Sequence, residues 1–302
     1  RDLHGTKHSF PTRRSSDRRA QRSGRYYARL RLPNGWRARV YLQTKHPTGE
    51  SRASHLAISR QWWAEQLAQP TRWLTQDASA SCKDSHSAQV RRALLSHADG
   101  ELPVIIKRPL ARNWRRRVRQ WLFPSRAVRG WERGHALLNR DLPTARPLAC
   151  LERKVGPFVR DALLITEAVP GAIDVEAYLR GIHVARRPIE YARRKHRLTR
   201  QLATLLRRFE ERGFAHRDCK AGNILVLEQP ALRLFWVDMD GVRRSARGYQ
   251  QPIRSLARLY ASLDAVPGVT RTDCARLLKH YTARWGADVL AWRKLWRELE
   301  PA

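Results

Sequence analysis

The residues best suited to chemistry lie between positions 216 and 241. The run His216-Arg217-Asp218-Cys219-Lys220-Ala221-Gly222-Asn223 precedes one apolar stretch, and Val237-Asp238-Met239-Asp240-Gly241 follows a second. Asp218 is a carboxylate that can accept or orient a hydroxyl proton. Lys220, two residues on in a tight loop, can reach the oxygens of the same phosphate. Asn223 and Asp238 are hard oxygen donors of the kind Mg²⁺ takes in preference to nitrogen or sulfur. Phosphoryl transfer needs this set: an acceptor hydroxyl held in line with a γ-phosphate, and cations that neutralise the phosphate oxygens. A hairpin between Asn223 and Asp238 brings both donors to one edge.

The pattern H-R-D-x-K-x-x-N, with an Asp after the next strand pair, resembles the protein-kinase-like superfamily at His216, Arg217, Asp218, Lys220 and Asn223. That resemblance implies ATP and Mg²⁺ as cofactors and a nucleotide-holding half upstream. Lys107, closing Val104-Ile-Ile-Lys107, looks like the strand lysine that pairs with the α- and β-phosphates, and Glu132 like its ion-pair partner. Read without the resemblance, they are an edge-strand lysine and a surface glutamate. Glu167, just before Pro170-Gly171, sits where the interlobe hinge belongs, with its backbone toward the adenine. Two features depart from the superfamily. No glycine occurs between Arg72 and Ala98, so the phosphate-covering glycine loop is missing; Ala78-Ser-Ala-Ser81 and Lys83 are the substitutes on offer. Met239-Asp240 stands where Phe-Gly is usual, and Arg243–Gln251 is too short for a peptide-binding activation segment. Asp240 reads equally as a second metal or substrate contact and as a turn residue before Gly241.

These residues need a scaffold. Residues 25–45 alternate around Pro33-Asn34-Gly35 as a β-hairpin. Ser54–Ile58 reads as a short strand, and Ser59 caps a helix through Trp62, Trp63 and Leu67, stopped by Pro70. Residues 76–89 read as a loop. Val90–Ser96 and Val104–Lys107 read as strands about Asp99-Gly100. Helices are expected over Ala111–Phe123 and from Ser125 or Arg126 to Asn139, and strands near Pro147–Leu151 and Leu163–Val169. Ile189–Arg212 is the longest helix, its stripe Leu198, Leu202, Leu205, Leu206 and Phe209 at helical spacing and Gly213 its stop. A strand pair, Ile224–Leu227 with Leu232–Val237, and helices Ile253–Leu263, Thr270–Trp285 and Val289–Leu299 complete the chain. The expected class is α+β, a bilobal protein-kinase-like fold with a small, mainly β N-lobe and a larger helical C-lobe. The expected division is an N-terminal extension at 18–70, an N-lobe at 71–169 and a C-lobe at 170–302.

The bulk properties fit a folded enzyme with an anionic partner. Hydrophobic residues make up 42% of the 302, while 60 Lys+Arg against 27 Asp+Glu leave a formal charge of +33. Such a chain is drawn to polyanions. Residues 1–17 resemble a translated sequencing-adapter oligonucleotide, and are expected to be an artefact or a disordered tail. They carry Arg1, Lys7, Arg13 and Arg14 against Asp2 and Asp17, so the basic excess belongs to the rest of the chain. The four cysteines are far apart and form no metal-spaced pair, which fits a reducing cytosol better than a disulfide framework. No apolar run approaches the roughly 20 residues of a membrane span, and no signal peptide is visible.

Within the superfamily the chain resembles the lipopolysaccharide kinase family, the Kdo- and heptose-phosphorylating group. The resemblance is carried by Pro124-Ser-Arg-Ala-Val-Arg-Gly-Trp-Glu-Arg-Gly-His-Ala-Leu-Leu138, Pro143-Thr-Ala-Arg-Pro147, the Asp218 loop, Val237-Asp-Met-Asp-Gly241 and Ser255-Leu-Ala-Arg-Leu259. It spans roughly residues 70–265. It implies phosphorylation of a sugar hydroxyl on a lipid-linked saccharide acceptor, by a cytoplasmic enzyme at the inner membrane face. The arginines of the Ala111–Phe123 helix could seat on an anionic membrane or form a solvated basic face. Trp114, Val118 and Trp121 suit core packing more than membrane seating. No specific nucleic-acid partner is expected. The rivals are a protein Ser/Thr or small-molecule kinase, and an inactive kinase fold that binds polyanions.

Overall fold

The computed structural model describes residues 20, 22–42, 58–72, 81–85, 88–98, 100–110, 124–156, 158–184, 188–244, 250–283 and 291–299. The expected strand Ser54–Ile58, the helix Ala111–Phe123 and the segment Ala78–Ala80 lie mainly or wholly outside these residues.

Strands β1 (Tyr27–Arg31) and β2 (Trp36–Tyr41) pair antiparallel. Asn34 and Gly35 between them take φ of 57° and 75°, the left-handed geometry of a tight turn. Ser59 caps α1 (Arg60–Gln66), its Oγ accepting the Trp62 N–H at 3.0 Å. Trp63 is fully buried and donates its indole N–H to the Tyr41 carbonyl, which fixes α1 to the hairpin. Next come β3 (Ser81–Ser85), β4 (Ala88–His97) and β5 (Gly100–Pro109). The loop expected over residues 76–89 therefore contains one strand and the start of another. Short polar side chains concealed them, because a ladder rests on backbone pairing that composition does not display.

Helix α2 (Arg126–Leu138) is capped by Ser125, whose Oγ accepts the Val128 N–H at 3.2 Å. β6 (Pro147–Val155) and β7 (Phe158–Glu167) follow. The seven strands form one sheet in the order β1-β2-β6-β7-β5-β4-β3. α2 lies against it, and Gly134 sets the distance: a Cβ there would sit 2.4 Å from Pro147 Cγ. Glycine in a helix interior costs about 0.5–1 kcal/mol; here it permits helix and sheet to touch.

After the sheet come β8 (Ile173–Asp174), α3 (Val175–Val184) and α4 (Pro188–Glu211). Leu198, Leu202, Leu205, Leu206 and Phe209 are all buried along α4, and a fully buried side chain of this kind contributes about 1.5–3 kcal/mol. Gly213, at φ 76°, ends it. β9 (Phe214–His216), β10 (Ile224–Leu227), β11 (Arg233–Trp236) and β12 (Val242–Arg244) surround the chemistry-bearing loops, with β10 paired to β11 and β8, and β12 to β9. Helices α5 (Gln250–Asp264), α6 (Arg271–Thr282) and α7 (Ala291–Leu299) close the lobe. α3 is not among the expected helices, although Val175, Tyr178, Leu179 and Ile182 stand at helical spacing and are buried.

The class is α+β and bilobal, as expected. Each lobe has its own core, and α2 enters both. Ala127, Val128 and Trp131 belong to the sheet-side cluster, Ala136 and Leu137 to the helical one. One rigid element thus fixes the two halves of the site relative to each other.

Candidate active site

The loop after β9 holds Asp218, Lys220 and Asn223 in mutual contact. Asn223 donates its amide to the Asp218 carbonyl at 2.8 Å and to Asp218 Oδ2 at 3.1 Å. Lys220 Nζ pairs with the same Oδ2 at 3.0 Å. Burial pushes the Asp218 carboxyl up, but Lys220 and the Asn223 amide outweigh it and hold the group below the usual carboxylate range. Asp218 is therefore ionised at neutral pH and able to accept a proton.

β10 and β11 return the chain beside this loop. The Val237 N–H donates to the Asn223 carbonyl at 3.0 Å, so Asn223 and Asp238 lie at the same edge of the hairpin. Asp238 adopts φ 61° and ψ 51°, a left-handed conformation uncommon for a residue other than glycine. His216 holds it there. The buried imidazole stacks on Trp236, centroids 5.2 Å apart and 9° from parallel. Its Nδ1 accepts the Asp218 N–H and its Nε2 faces the Asp238 carbonyl, both at 3.2 Å. These two bonds fix the neutral tautomer with hydrogen on Nε2, in keeping with burial pressing the imidazole pKa down. The Arg217 N–H reaches the Gly241 carbonyl at 2.9 Å. One histidine and two backbone bonds thus tie the two loops together.

Lys107, on β5, crosses from the sheet to this edge. Its ammonium bonds Asp238 Oδ1 and lies 3.4 Å from Asp240 Oδ1. Asp240 is buried and also receives Arg126 Nε on Oδ2 at 2.5 Å, while Arg133 donates to its carbonyl at 2.7 Å. Burial raises the Asp238 pKa, and the neighbouring Asp240 adds to it. Burial acts the same way on Asp240, but the hydrogen bond from Asp238 and the charges of Lys107 and Arg126 carry it below the usual range. Asp240 is thus an ion-paired strut between the loop and α2, a third role beside the two open from sequence. Arg126 and Arg133 were missed there; the available signal was their seven-residue spacing, which puts both on one face of α2. Met239 fills the place of the usual aromatic ring, buried beside Gly134 and taking the Thr144 hydroxyl on Sδ at 2.8 Å.

Of the residues expected in the nucleotide half, Glu132 meets a different partner, and Glu167 lies at the end of β7, just before Pro170-Gly171. Glu132 does not meet Lys107; its carboxylate lies 3.3 Å from Arg39 Nη1. The cause is the face of α2 it occupies, which points along the sheet toward β2, while the neighbouring Arg133 points to the loop. Glu167 ends β7, paired opposite Val104. Its N–H is taken by the Arg146 carbonyl at 2.8 Å, and the Ala168 N–H by Pro103 at 2.9 Å. Two amides of this segment are thus committed to protein carbonyls. Lys83 falls in β3.

The donor set suits Mg²⁺. Asn223 uses its amide nitrogen on Asp218, which would leave Oδ1 to face a cation, and Asp238 would add a carboxylate. Among the described residues no group of three or more His, Cys, Asp or Glu is gathered as a metal site. Mg²⁺ is commonly held by one or two protein oxygens plus substrate phosphates and water, so this sparse set fits.

A comparison with curated proteins returns no match. The solved structure of WaaP in complex with acyl carrier protein is 21% identical to the chain, with a TM-score of 0.47, covering 77% of this chain and 97% of that one. The sequence profile of the lipopolysaccharide kinase (Kdo/WaaP) family matches residues 83–281, which include every loop residue described above. The chain belongs to the lipopolysaccharide kinase (Kdo/WaaP) family and is a kinase.

Proposed function

We propose that the protein transfers the γ-phosphoryl group of Mg-ATP to a sugar hydroxyl of the lipopolysaccharide core or of a related lipid-linked envelope saccharide. The observation that carries this reading is the convergence of Asp218, Lys220, Asn223, Asp238 and Lys107 on one edge between the lobes. Asp218 is the catalytic base: ionised, it orients the acceptor hydroxyl and takes its proton as the oxygen attacks the γ-phosphorus and ADP leaves. Lys220, half exposed beside it, steadies the γ-phosphate. Lys107 serves the α- and β-phosphates, with the Glu167 segment at the adenine. Glu132 acts on the nucleotide only through placement of α2. Asn223 and Asp238 hold Mg²⁺, which when bound neutralises charge on the phosphate oxygens. Most of the acceleration comes from positioning and preorganised charge.

The acceptor class is supported by the family and by the residues after Asp238. Only Val242–Arg244 separate the 3₁₀ turn at Met239–Gly241 from residues 245–249 and α5, too little chain for a peptide platform. Among the described residues no helix is long and apolar enough to cross a membrane. The lipid-linked acceptor is met at the surface, with the enzyme cytoplasmic and peripheral at the inner face.

The test is transfer of labelled γ-phosphate from Mg-ATP to core saccharide, peptide and small-alcohol acceptors, with Asp218→Asn as control. Label is expected on the saccharide alone and not with the variant. Transfer to peptide alone overturns the acceptor class, and absence of ATP turnover with every acceptor overturns the activity.

A further inference from the structure

The loop carrying Asp238 is surrounded by more positive charge than the catalytic set employs. Three elements meet at Asp240-Gly241. α2 brings Arg133, bonded to the Asp240 carbonyl at 2.7 Å. The catalytic loop brings Arg217, whose N–H holds the Gly241 carbonyl. β12 brings Arg243, paired opposite Ala215. Arg129 lies one turn before Arg133 on the same face of α2.

Arg133 is partly buried, and the positive charges of Arg129, Arg243 and Arg217 bear on it. Burial and these like charges depress its pKa, and Asp240 opposes them. Asp240 itself is already engaged by Arg126 and Lys107. The Arg217 and Arg243 side chains are exposed, and among the described residues neither meets a carboxylate. Gathering guanidinium groups about one that has lost much of its water is unfavourable unless an anion joins them. Guanidinium is also the group whose planar fork matches phosphate and carboxylate oxygens.

The geometry points to an oxyanion subsite formed by Arg133, Arg217 and Arg243, flanked by Arg129, which takes a phosphate or carboxylate group carried by the acceptor saccharide. It rests on the phosphotransferase reading for the identity of the ligand, but not for its charge. The subsite adjoins Asp218 in sequence through Arg217, so an acidic substituent docked here orients a neighbouring hydroxyl toward the catalytic base. Selectivity for acidic over neutral saccharides follows.

Two measurements test it. In the first, inorganic pyrophosphate alone is titrated against the full chain and the melting temperature followed. A saturable rise is expected, retained in Lys107→Ala and lost in Arg243→Gln; Arg243 carries only strand pairing, so its loss spares the fold. In the second, kcat/KM with Mg-ATP is compared for one short saccharide with and without a phosphate substituent. The wild type is expected to favour the phosphorylated acceptor about 10- to 100-fold, as for charge-assisted hydrogen bonds lost on truncation. That ratio collapses in Arg243→Gln and is partly kept in Arg243→Lys, with the change in KM. Pyrophosphate stabilisation without acceptor preference assigns the site to a free phosphate and overturns the acceptor assignment. Neither stabilisation nor preference overturns the subsite. Stabilisation lost in Arg243→Gln, with no transfer to any acceptor, overturns the phosphotransferase reading and leaves the oxyanion site standing.

Discussion

The two halves of the site are held in different ways. The proposed catalytic half, residues 216–223 with 237–241, is cross-linked internally. His216 alone contacts Asp218, Asp238 and Trp236, Asn223 grips Asp218, and β9 pairs with β12. Among the described residues the proposed nucleotide half shows no network confined to one loop. Lys107, Glu132 and Glu167 stand on three separate elements and meet three different partners: Asp238, Arg39 and Arg146. Groups joined within one loop have their geometry set by nearby backbone, whereas groups spread over a sheet and a helix depend on how the lobes sit. The catalytic half should therefore fail through chemistry, and the nucleotide half through placement.

The sharpest test of that contrast is Asp218→Asn. The amide keeps the shape and the bond to Asn223 but cannot take a proton, so kcat should fall by about 10²–10⁴, the usual worth of a general base. Nucleotide affinity should be unchanged in an equilibrium binding measurement. Equal losses in kcat and in ATP affinity would show that the loop and the nucleotide half are not separable.

Lys107→Ala comes next. It removes the proposed phosphate contact and leaves Asp238 beside Asp240 without the ammonium between them. A loss of about 10²-fold in kcat/KM is expected, in line with removal of one preorganised charge contact. A melting temperature at or below that of wild type should accompany it, since breaking a partly buried ion pair leaves its partner behind. A marked rise in melting temperature would mean that the pair is a strain and not a support.

Sequence disclosed these halves unequally, for the same physical reason. Spacing within one loop survives as a motif, so the grouping of Asp218, Lys220, Asn223 and Asp238 could be read directly. Lys107 could be read because a β-strand is short and its neighbours apolar. The partner of Glu132 could not, because helix rotation decides whether position 132 or 133 faces the loop, and one residue turns the helix face by about 100°. Asp240 stayed ambiguous since its partners Arg126 and Arg133 lie over a hundred residues away. Strand β3 was hidden by Ser81, Cys82, Lys83, Asp84 and Ser85, which suit a loop as well as a sheet edge. The alternating and helical periodicities, by contrast, placed the first hairpin, α2 and α4 closely, with Ser125 and Gly213 marking their ends.

Gly241→Ala probes the cross-link itself. A Cβ would lie 2.9 Å from His216 Cε1, and the imidazole is confined by Trp236 on its face. The ring must shift, loosening its bonds to Asp218 and Asp238. A cost of about 1–3 kcal/mol is expected in denaturant unfolding, the range for overpacking a filled site, with kcat falling more than ATP affinity. An unchanged kcat would show that His216 is a packing residue and does not align the two loops.

Glu132→Gln should have the smallest effect, and it bears most directly on the comparison. Its carboxylate faces Arg39, and both side chains are partly exposed, so the pair is worth little, about 0–1 kcal/mol for a solvent-screened bridge. Less than about a threefold change in kcat/KM is expected, the scale of such a bridge. A loss as deep as that of Lys107→Ala would mean that α2 rotates when nucleotide enters and delivers Glu132 to Lys107. A double mutant decides between these outcomes. If the residues act independently, the losses of Lys107→Ala and Glu132→Gln add; if they pair during turnover, the second substitution costs nothing once the first is made. Additivity keeps Arg126, Arg133 and Asp240 as the link between α2 and the site, and so locates the coupling between the lobes on the catalytic side of the helix.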